Sequence, residues 1–146
     1  MVAYATQQAT GRGPVRGPGW SSQEITAYAE ITPTTLGAGD TFDMIRVPNG
    51  AIITGVTLYA DDLDSNVSPT LTLSVGDSSS STRFISASTI GQAGGFTSTV
   101  ASGTGAMFFK YTSESNIRVT STAASATYQS GKIKLKVTYL VDPMLS

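Results

Sequence analysis

The 146-residue sequence contains neither cysteine nor histidine. Without cysteine there can be no disulfide bond and no thiolate nucleophile, and without histidine there can be no Ser-His-Asp triad. The common zinc and copper sites, which are built from imidazole and sulfur, are excluded as well. We therefore expect no catalytic residue, no metal site and no cofactor, and we do not expect an enzyme.

Charge is also scarce, because Lys, Arg, Asp and Glu make up only 13% of the chain and nine basic residues face ten acidic ones. Such a balance produces no strong field for gathering a polyanion or an acidic lipid surface. No apolar run reaches the 18 or more residues of a membrane-spanning helix. Neither nucleic acid nor a membrane is an expected partner.

What the sequence does contain is a series of short runs rich in Val, Ile, Thr and aromatic residues, separated by Gly, Pro, Asn, Asp and Ser. This pattern is typical of successive β-strands. Eight runs within one domain predict an all-β fold, an eight-stranded antiparallel β-sandwich of the jelly-roll type, over residues 24–146. The predicted strands are 25–32, 40–47, 51–60, 70–76, 81–90, 104–112, 116–123 and 131–141.

Residues 1–23 differ from this pattern and are predicted to form an extended N-terminal arm. In the stretch GRGPVRGPGW, Pro14 and Pro18 lack backbone donors and the four glycines carry high chain entropy, which disfavours a helix or a central strand. Arg12, Arg16 and Trp20 are the candidate partner-binding residues of the arm, since arginine and tryptophan often concentrate binding energy at interfaces.

The last predicted strand, GKIKLKVTYLV, alternates apolar and polar residues with a period of two. One side should face a core and the other should face solvent or a partner. The second side carries Lys132, Lys134 and Lys136. These lysines are either a solvated face that discourages edge pairing or a partner-binding face.

Two connections carry specific expectations. Pro48-Asn49-Gly50 predicts a tight reversal and a close pairing of the strands on either side of it. The Gly-rich segment 91–105 is expected to be a connection between sheets.

The only cluster of carboxylates lies in YADDLDSNVSP, residues 59–69. Asp62, Asp64 and Asn66 match the first three ligands of a calcium-binding loop, but Val67 stands where the loop needs Gly and Leu73 where it needs Glu. An irregular calcium cage remains an alternative near Asp61 to Asn66. The favoured interpretation is a loop in which Asp and Asn side chains accept backbone N–H hydrogen bonds and end the strand.

A glycosidase is the remaining enzymatic alternative, because Glu24, Glu30 or Glu114 could supply a carboxylate. Such an enzyme needs two carboxyl groups about 5–10 Å apart in a cleft. A binding module would instead need an exposed aromatic platform. Tyr111, Tyr128 and Tyr139 lie in contexts that favour the core, and Trp20 is the only tryptophan.

The order of the motifs resembles small jelly-roll proteins of tailed bacteriophages that decorate or cement the capsid. The resemblance covers about residues 42 to 143 and is carried by IRVPNGAIITGVTLYADDLDS, LTLSVGD, TRFISAST, FFKYTSESNIRVTS and SGKIKLKVTYLVDP. It implies a structural protein on the outer surface of the virion capsid, made in the cytoplasm of the bacterial host. The implied partners are the major capsid protein and copies of the chain itself, arranged as a homotrimer. The alternative is a head-fibre or tail-associated module that recognises glycan or a host surface.

Overall fold

The computed structural model describes residues 24–98 and 106–141. These residues form eight antiparallel strands and one short 3-10 helix. The strands are β1 (Ile25–Ile31), β2 (Thr41–Val47), β3 (Ala51–Ala60), β4 (Thr72–Gly76), β5 (Ile85–Ser88), β6 (Gly95–Ser98), β7 (Ser115–Ala123) and β8 (Ile133–Val141), and the 3-10 helix is Ile90–Gln92.

The strands lie in two four-stranded sheets, one in the order β1-β8-β3-β6 and the other in the order β2-β7-β4-β5. Consecutive strands cross repeatedly from one sheet to the other, which is the connectivity of a jelly roll. The predicted all-β, eight-stranded jelly-roll sandwich is confirmed.

The core lies between the sheets and follows the period of two in each strand. In β8 the side chains of Ile133, Leu135, Val137 and Tyr139 are buried, while the residues between them point away from the core. Facing them from the second sheet are buried side chains such as Val75, Ile117 and Val119. Tyr111 is buried as well and Tyr128 packs against the core, as the sequence predicted for both.

The turn at Pro48-Asn49-Gly50 forms as predicted, but the predicted pairing of its flanking strands is wrong. Ala51 donates its N–H to the Pro48 carbonyl, and Gly50 adopts a positive φ of 85°. The turn nevertheless connects β2 in one sheet to β3 in the other. An Asn-Gly pair specifies a sharp reversal, and the apolar side chains of both strands are buried best when the chain crosses the core.

The prediction of a strand at 104–112 is also wrong for its described residues. There the chain forms no regular strand, although it makes an isolated bridge between Lys110 and Ile52 and the Tyr111 N–H donates to the Ala51 carbonyl. Phe108 has a positive φ of 59°, which interrupts a regular ladder even though its N–H donates to the Ile53 carbonyl over 2.9 Å. Conversely, the segment 91–105 is more than a connection, because it contains the end of the 3-10 helix and β6.

The loop after β3 is fixed by a buried carboxylate. The Asp64 side chain, only 1% exposed, accepts N–H hydrogen bonds from Thr70 (2.8 Å), Leu71 (3.1 Å), Ala126 (2.9 Å) and Thr127 (2.9 Å). These donors come from the β3–β4 and β7–β8 connections, so one side chain joins two loops that are distant in sequence. Asp62 and Asn66 accept further N–H bonds from within the cluster, which confirms the loop interpretation.

Burial alone would raise the pKa of the Asp64 carboxyl, but the backbone N–H donors outweigh it and hold the pKa well below its usual value of 3.8. The carboxylate therefore contributes stability that is fully present above the unfolded-state pKa. That contribution decreases as the pH falls below about 4.

We predict that Asp64→Asn lowers the free energy of unfolding at neutral pH by about 3 kcal/mol or more, because an amide N–H₂ would oppose backbone N–H donors. Chemical denaturation at pH 7 and pH 3 measures this, and the variant should lose less stability than the native chain between these pH values. Asp62→Asn is the control, since Asp62 is only partly buried and accepts one 3.2 Å bond. Equal stability of the two variants would contradict the role given to Asp64.

Candidate functional site

The exposed face of the β1-β8-β3-β6 sheet is the strongest candidate for a functional surface. Strand register places Glu30 of β1 opposite Lys134 of β8, Lys134 opposite Tyr59 of β3, and Tyr59 opposite Phe96 of β6. The next row consists of Tyr28, Lys136, Thr57 and Ser98. We call the two rows, together with Lys132, the lysine face.

Large aromatic side chains are exposed at both margins of the lysine face. Phe96 is 73% exposed, Tyr28 59% and Tyr59 37%. An isolated exposed apolar residue needs no explanation, but a group of them on one surface is typical of an interface. Aromatic residues are also enriched where proteins meet partners.

The tyrosines of the lysine face are oriented by acidic residues two positions further along the chain. The Tyr28 hydroxyl donates to Glu30 Oε2 over 2.7 Å, and the Tyr59 hydroxyl donates to Asp61 Oδ1 over 2.9 Å. Each bond raises the pKa of its tyrosine. The bond from Tyr28 lowers the pKa of Glu30. The pKa of Asp61 is lowered mainly by the hydrogen bond from the Lys132 backbone N–H, and to a smaller extent by the Tyr59 hydroxyl.

The three predicted lysines lie on this face, but their surroundings differ. Lys132 Nζ donates to Glu30 Oε1 over 3.2 Å, and Lys134 Nζ lies 5.1 Å from the centre of the Tyr59 ring. For Lys136, no ion pair is found within the described part of the chain. Lys136 is exposed between Tyr28 and Thr57, and its charge is thus the most accessible to a partner.

The other predicted contact residues, Arg12, Arg16 and Trp20, lie outside the described residues. The aromatic residues of the lysine face were missed by the sequence reasoning. The period of two in β3 contained a signal for Tyr59, because its neighbours Leu58 and Ala60 belong to the buried set. Phe96 gave no such signal, since it lies in a Gly-rich stretch that predicts a connection.

The opposite sheet presents a different surface. Beside its β2 and β7 strands lies an open polar cleft of about 590 Å³, lined by Arg46, Ser78, Ser79, Ser113, Glu114, Ser115, Asn116 and Arg118. Arg46 forms an ion pair with Glu114, and Arg118 forms one with Asp43 over 2.9 Å. Basic and acidic charges on this side therefore largely neutralise each other.

Near the cleft, a buried ion pair fixes the loop after β4. Asp77 Oδ2 accepts hydrogen bonds from Arg83 Nε (2.6 Å) and from the Tyr111 hydroxyl (2.7 Å). The Arg83 guanidinium also stacks over the Phe109 ring, 3.9 Å from its centre. Burial favours a higher pKa for Asp77, but the bonds from Arg83 and Tyr111 outweigh it and lower the pKa, so this carboxylate is an ionised structural group.

The carboxylates considered for a glycosidase are not brought together. Glu24 accepts a hydrogen bond from the Thr54 hydroxyl, and Glu30 lies on the lysine face. Among the described residues that line the polar cleft, Glu114 is the one acidic residue. In the described ranges, no group of three or more Asp, Glu, His or Cys side chains is placed to hold a metal ion. Nor does any helix there have the length and apolar character needed to cross a bilayer.

Comparison with solved structures identifies related proteins. A chain of the cyanophage Pam1 capsid asymmetric unit is 34% identical with a TM-score of 0.84, and the alignment covers 97% of this chain and 100% of that one. A chain of the Ralstonia phage GP4 capsid is 26% identical with a TM-score of 0.74, over 90% of this chain and 93% of that one.

A third chain comes from the acidic stable capsid structure of Helicobacter pylori bacteriophage KHP30. It is 16% identical with a TM-score of 0.59, and the alignment covers 82% of this chain and 92% of that one, which shows a shared fold. No protein-family model and no curated protein matches the sequence. The identity to the cyanophage Pam1 chain extends over the whole of that chain. The protein therefore belongs to a family of jelly-roll proteins of bacteriophage capsids.

Proposed function

We propose that the protein is a non-enzymatic decoration or cement protein that binds the outer surface of a phage capsid and stabilises the shell. The observation that carries this proposal is the full-length similarity to a chain of the cyanophage Pam1 capsid. The major capsid protein is the proposed partner. A protein that stabilises a shell needs a rigid domain and contact surfaces, and it needs no catalytic group.

The lysine face is the proposed contact surface of the folded domain. Two of its four charges, Lys132 and Glu30, are paired with each other, and Lys134 lies over the Tyr59 ring. A partner can therefore cover the face without burying many unpaired charges, which is the costly step in association. Lys136 remains available for an acidic or carbonyl group of the capsid.

The arm, residues 1–23, is proposed to bind the capsid as a second contact. Arg12 and Arg16 would meet acidic or carbonyl-rich surface, and Trp20 would anchor the junction between the arm and the sandwich. Two linked contacts raise the overall affinity, because binding of the first increases the effective concentration of the second.

We further propose that the protein assembles as a homotrimer through side-to-side packing of its sandwiches. The low charge density leaves Ser- and Thr-rich surfaces that can pack without unpaired charge. A stable contact of this kind buries about 1,000 Å² or more of total surface.

A glycan-binding module of a head fibre or tail is the second candidate function. It is favoured by the exposed aromatic rings of Tyr28, Tyr59 and Phe96, which form the kind of platform that the sequence did not reveal. Copy number separates the two functions: hundreds of copies in each purified particle support a cement protein, and a few support a tip. Binding to an immobilised glycan that is lost in Tyr59→Ala would favour the second candidate.

The first binding prediction concerns the lysine face. Lys136→Glu and Phe96→Ala should each weaken attachment to undecorated particles about tenfold, because the first reverses the free charge and the second removes an exposed aromatic contact. Co-sedimentation with particles measures the affinity. Since both residues are exposed, the melting temperature should not change.

Asn116→Glu is the matched control, because it places the same acidic group at an exposed strand position of the other sheet. Its affinity should equal that of the native chain. If both lysine-face variants bind normally, or if the control is weakened as much as they are, the lysine face is not the capsid contact.

The second binding prediction concerns the arm. Deleting residues 2–19 should leave the sandwich folded and weaken attachment to undecorated particles, and Arg12→Ala with Arg16→Ala should weaken it less. Differential scanning calorimetry and co-sedimentation measure the two effects. Unchanged affinity of the truncated chain would mean that the arm has no role in attachment.

The oligomer prediction needs no particles. Sedimentation at micromolar concentration should give the mass of three 15.1 kDa chains. A sample that contains only monomer under these conditions would contradict the trimer, while leaving attachment to the capsid to be decided by the binding assays.

A further inference from the structure

Among the described residues, no strand pairs with the outer edge of β1. It pairs with β8 through seven consecutive residues without a register shift, and it is the outermost strand of its sheet. Within 24–98 and 106–141, no backbone hydrogen bond reaches its other edge. Such an edge is a template for one more strand.

The other three sheet edges are interrupted. The β2 ladder has a bulge between Asp43 and Ile45, and in the four-residue β5 strand Ala87 has a positive φ of 48°. The β6 strand is also four residues long and begins after Gly94, whose φ is 82°. Bulges, positive φ angles and short length all prevent edge-to-edge pairing, so the lack of protection is specific to β1.

The side chains of β1 do not repel an added strand either. The strand has no Lys and no Pro, which commonly protect edges. Its single charged residue, Glu30, is already bonded to Tyr28 and Lys132. On the core side the small residues Ala27 and Ala29 leave room for a neighbouring strand.

The chain itself contains a segment that resembles β1. Residues 2–10, VAYATQQAT, have no Gly, no Pro and no charge, and Ala3-Tyr4-Ala5 repeats Ala27-Tyr28-Ala29 of β1. Placed in a sheet, this pattern puts alanine on one side and tyrosine on the other, as β1 does. Tyr4 would then lie beside Tyr28 as a cross-strand aromatic pair.

We propose that the open edge of β1 accepts residues 2–9 of a neighbouring copy of the chain as an added strand. Residues 10–23 connect this segment to the sandwich, and 14 residues can extend to about 45 Å, enough to cross a domain of this size. Pro14 and Pro18 restrict φ and so favour an extended path for this connection. The inference rests on the proposed self-association, because it requires neighbouring copies to meet.

Cysteine cross-linking tests the proposal directly, since the native chain has no cysteine. Two single-cysteine variants, Tyr4→Cys and Tyr28→Cys, are co-expressed and oxidised without particles, and linked peptides are identified by mass spectrometry. We expect a disulfide between positions 4 and 28 of different chains, or between 4 and 26 with Thr26→Cys if the register is shifted by two residues. Tyr4→Cys with Thr41→Cys on the bulged β2 edge is the control and should not form a link.

Hydrogen exchange gives a second measurement that needs no substitution in β1. Deleting residues 2–9 should increase exchange of the outward-directed β1 amides about tenfold or more, and leave β2 unchanged. If the co-expressed single-cysteine variants form no link from position 4 to position 28 or 26, or if the deletion leaves β1 exchange unchanged, the proposal is wrong. Attachment of the same deletion variant to undecorated particles is measured separately, so failure of strand addition and failure of capsid binding are distinguished.

Discussion

The period-two alternation of β8 is the constraint on which most of the molecule depends. This strand lies between β1 and β3, and its buried residues Leu135 and Val137 form the centre of the core. Because side chains alternate across a strand, the residues between them necessarily form the middle of the opposite surface. A shift of one residue in register would exchange the core with the lysine face, so burial fixes the arrangement of the functional surface.

The same alternation explains how much of the fold could be predicted. It located β8, whose apolar residues alternate along the strand, whereas β3 and β7 were located by their content of Val, Ile and Thr. The alternation could not show which strands share a sheet. A turn such as Pro48-Asn49-Gly50 has the same local chemistry whether the strands it joins pair with each other or lie in opposite sheets. The alternation also failed at Phe108, an aromatic residue that adopts a positive φ, which propensity disfavours, while its N–H donates to the Ile53 carbonyl.

The candidate surface was predictable only in part, for a related reason. The lysines follow from the alternation within one strand. The aromatic margins depend on which strands lie beside β8, and that information is contained in the pairing of Tyr59 with Lys134 and with Phe96. Tyrosine is ambiguous in a sequence because it is compatible with both core and surface: Tyr139 is buried in β8, while Tyr28 is exposed in the adjacent β1.

The two exposed faces of the sandwich differ in a way that bears on orientation. On the β2-β7-β4-β5 side, Arg46 with Glu114 and Arg118 with Asp43 form exposed or partly exposed ion pairs around a polar cleft, an arrangement that water solvates well. The lysine face instead carries exposed aromatic rings whose hydroxyl groups are bonded within the sheet. The lysine face also carries charges, including the ion pair of Lys132 with Glu30, but covering its exposed rings removes apolar surface from water. Covering the other side would desolvate its ion pairs for little apolar gain. The proposed attachment to a shell would therefore turn the lysine face toward the partner protein and the polar cleft toward solvent.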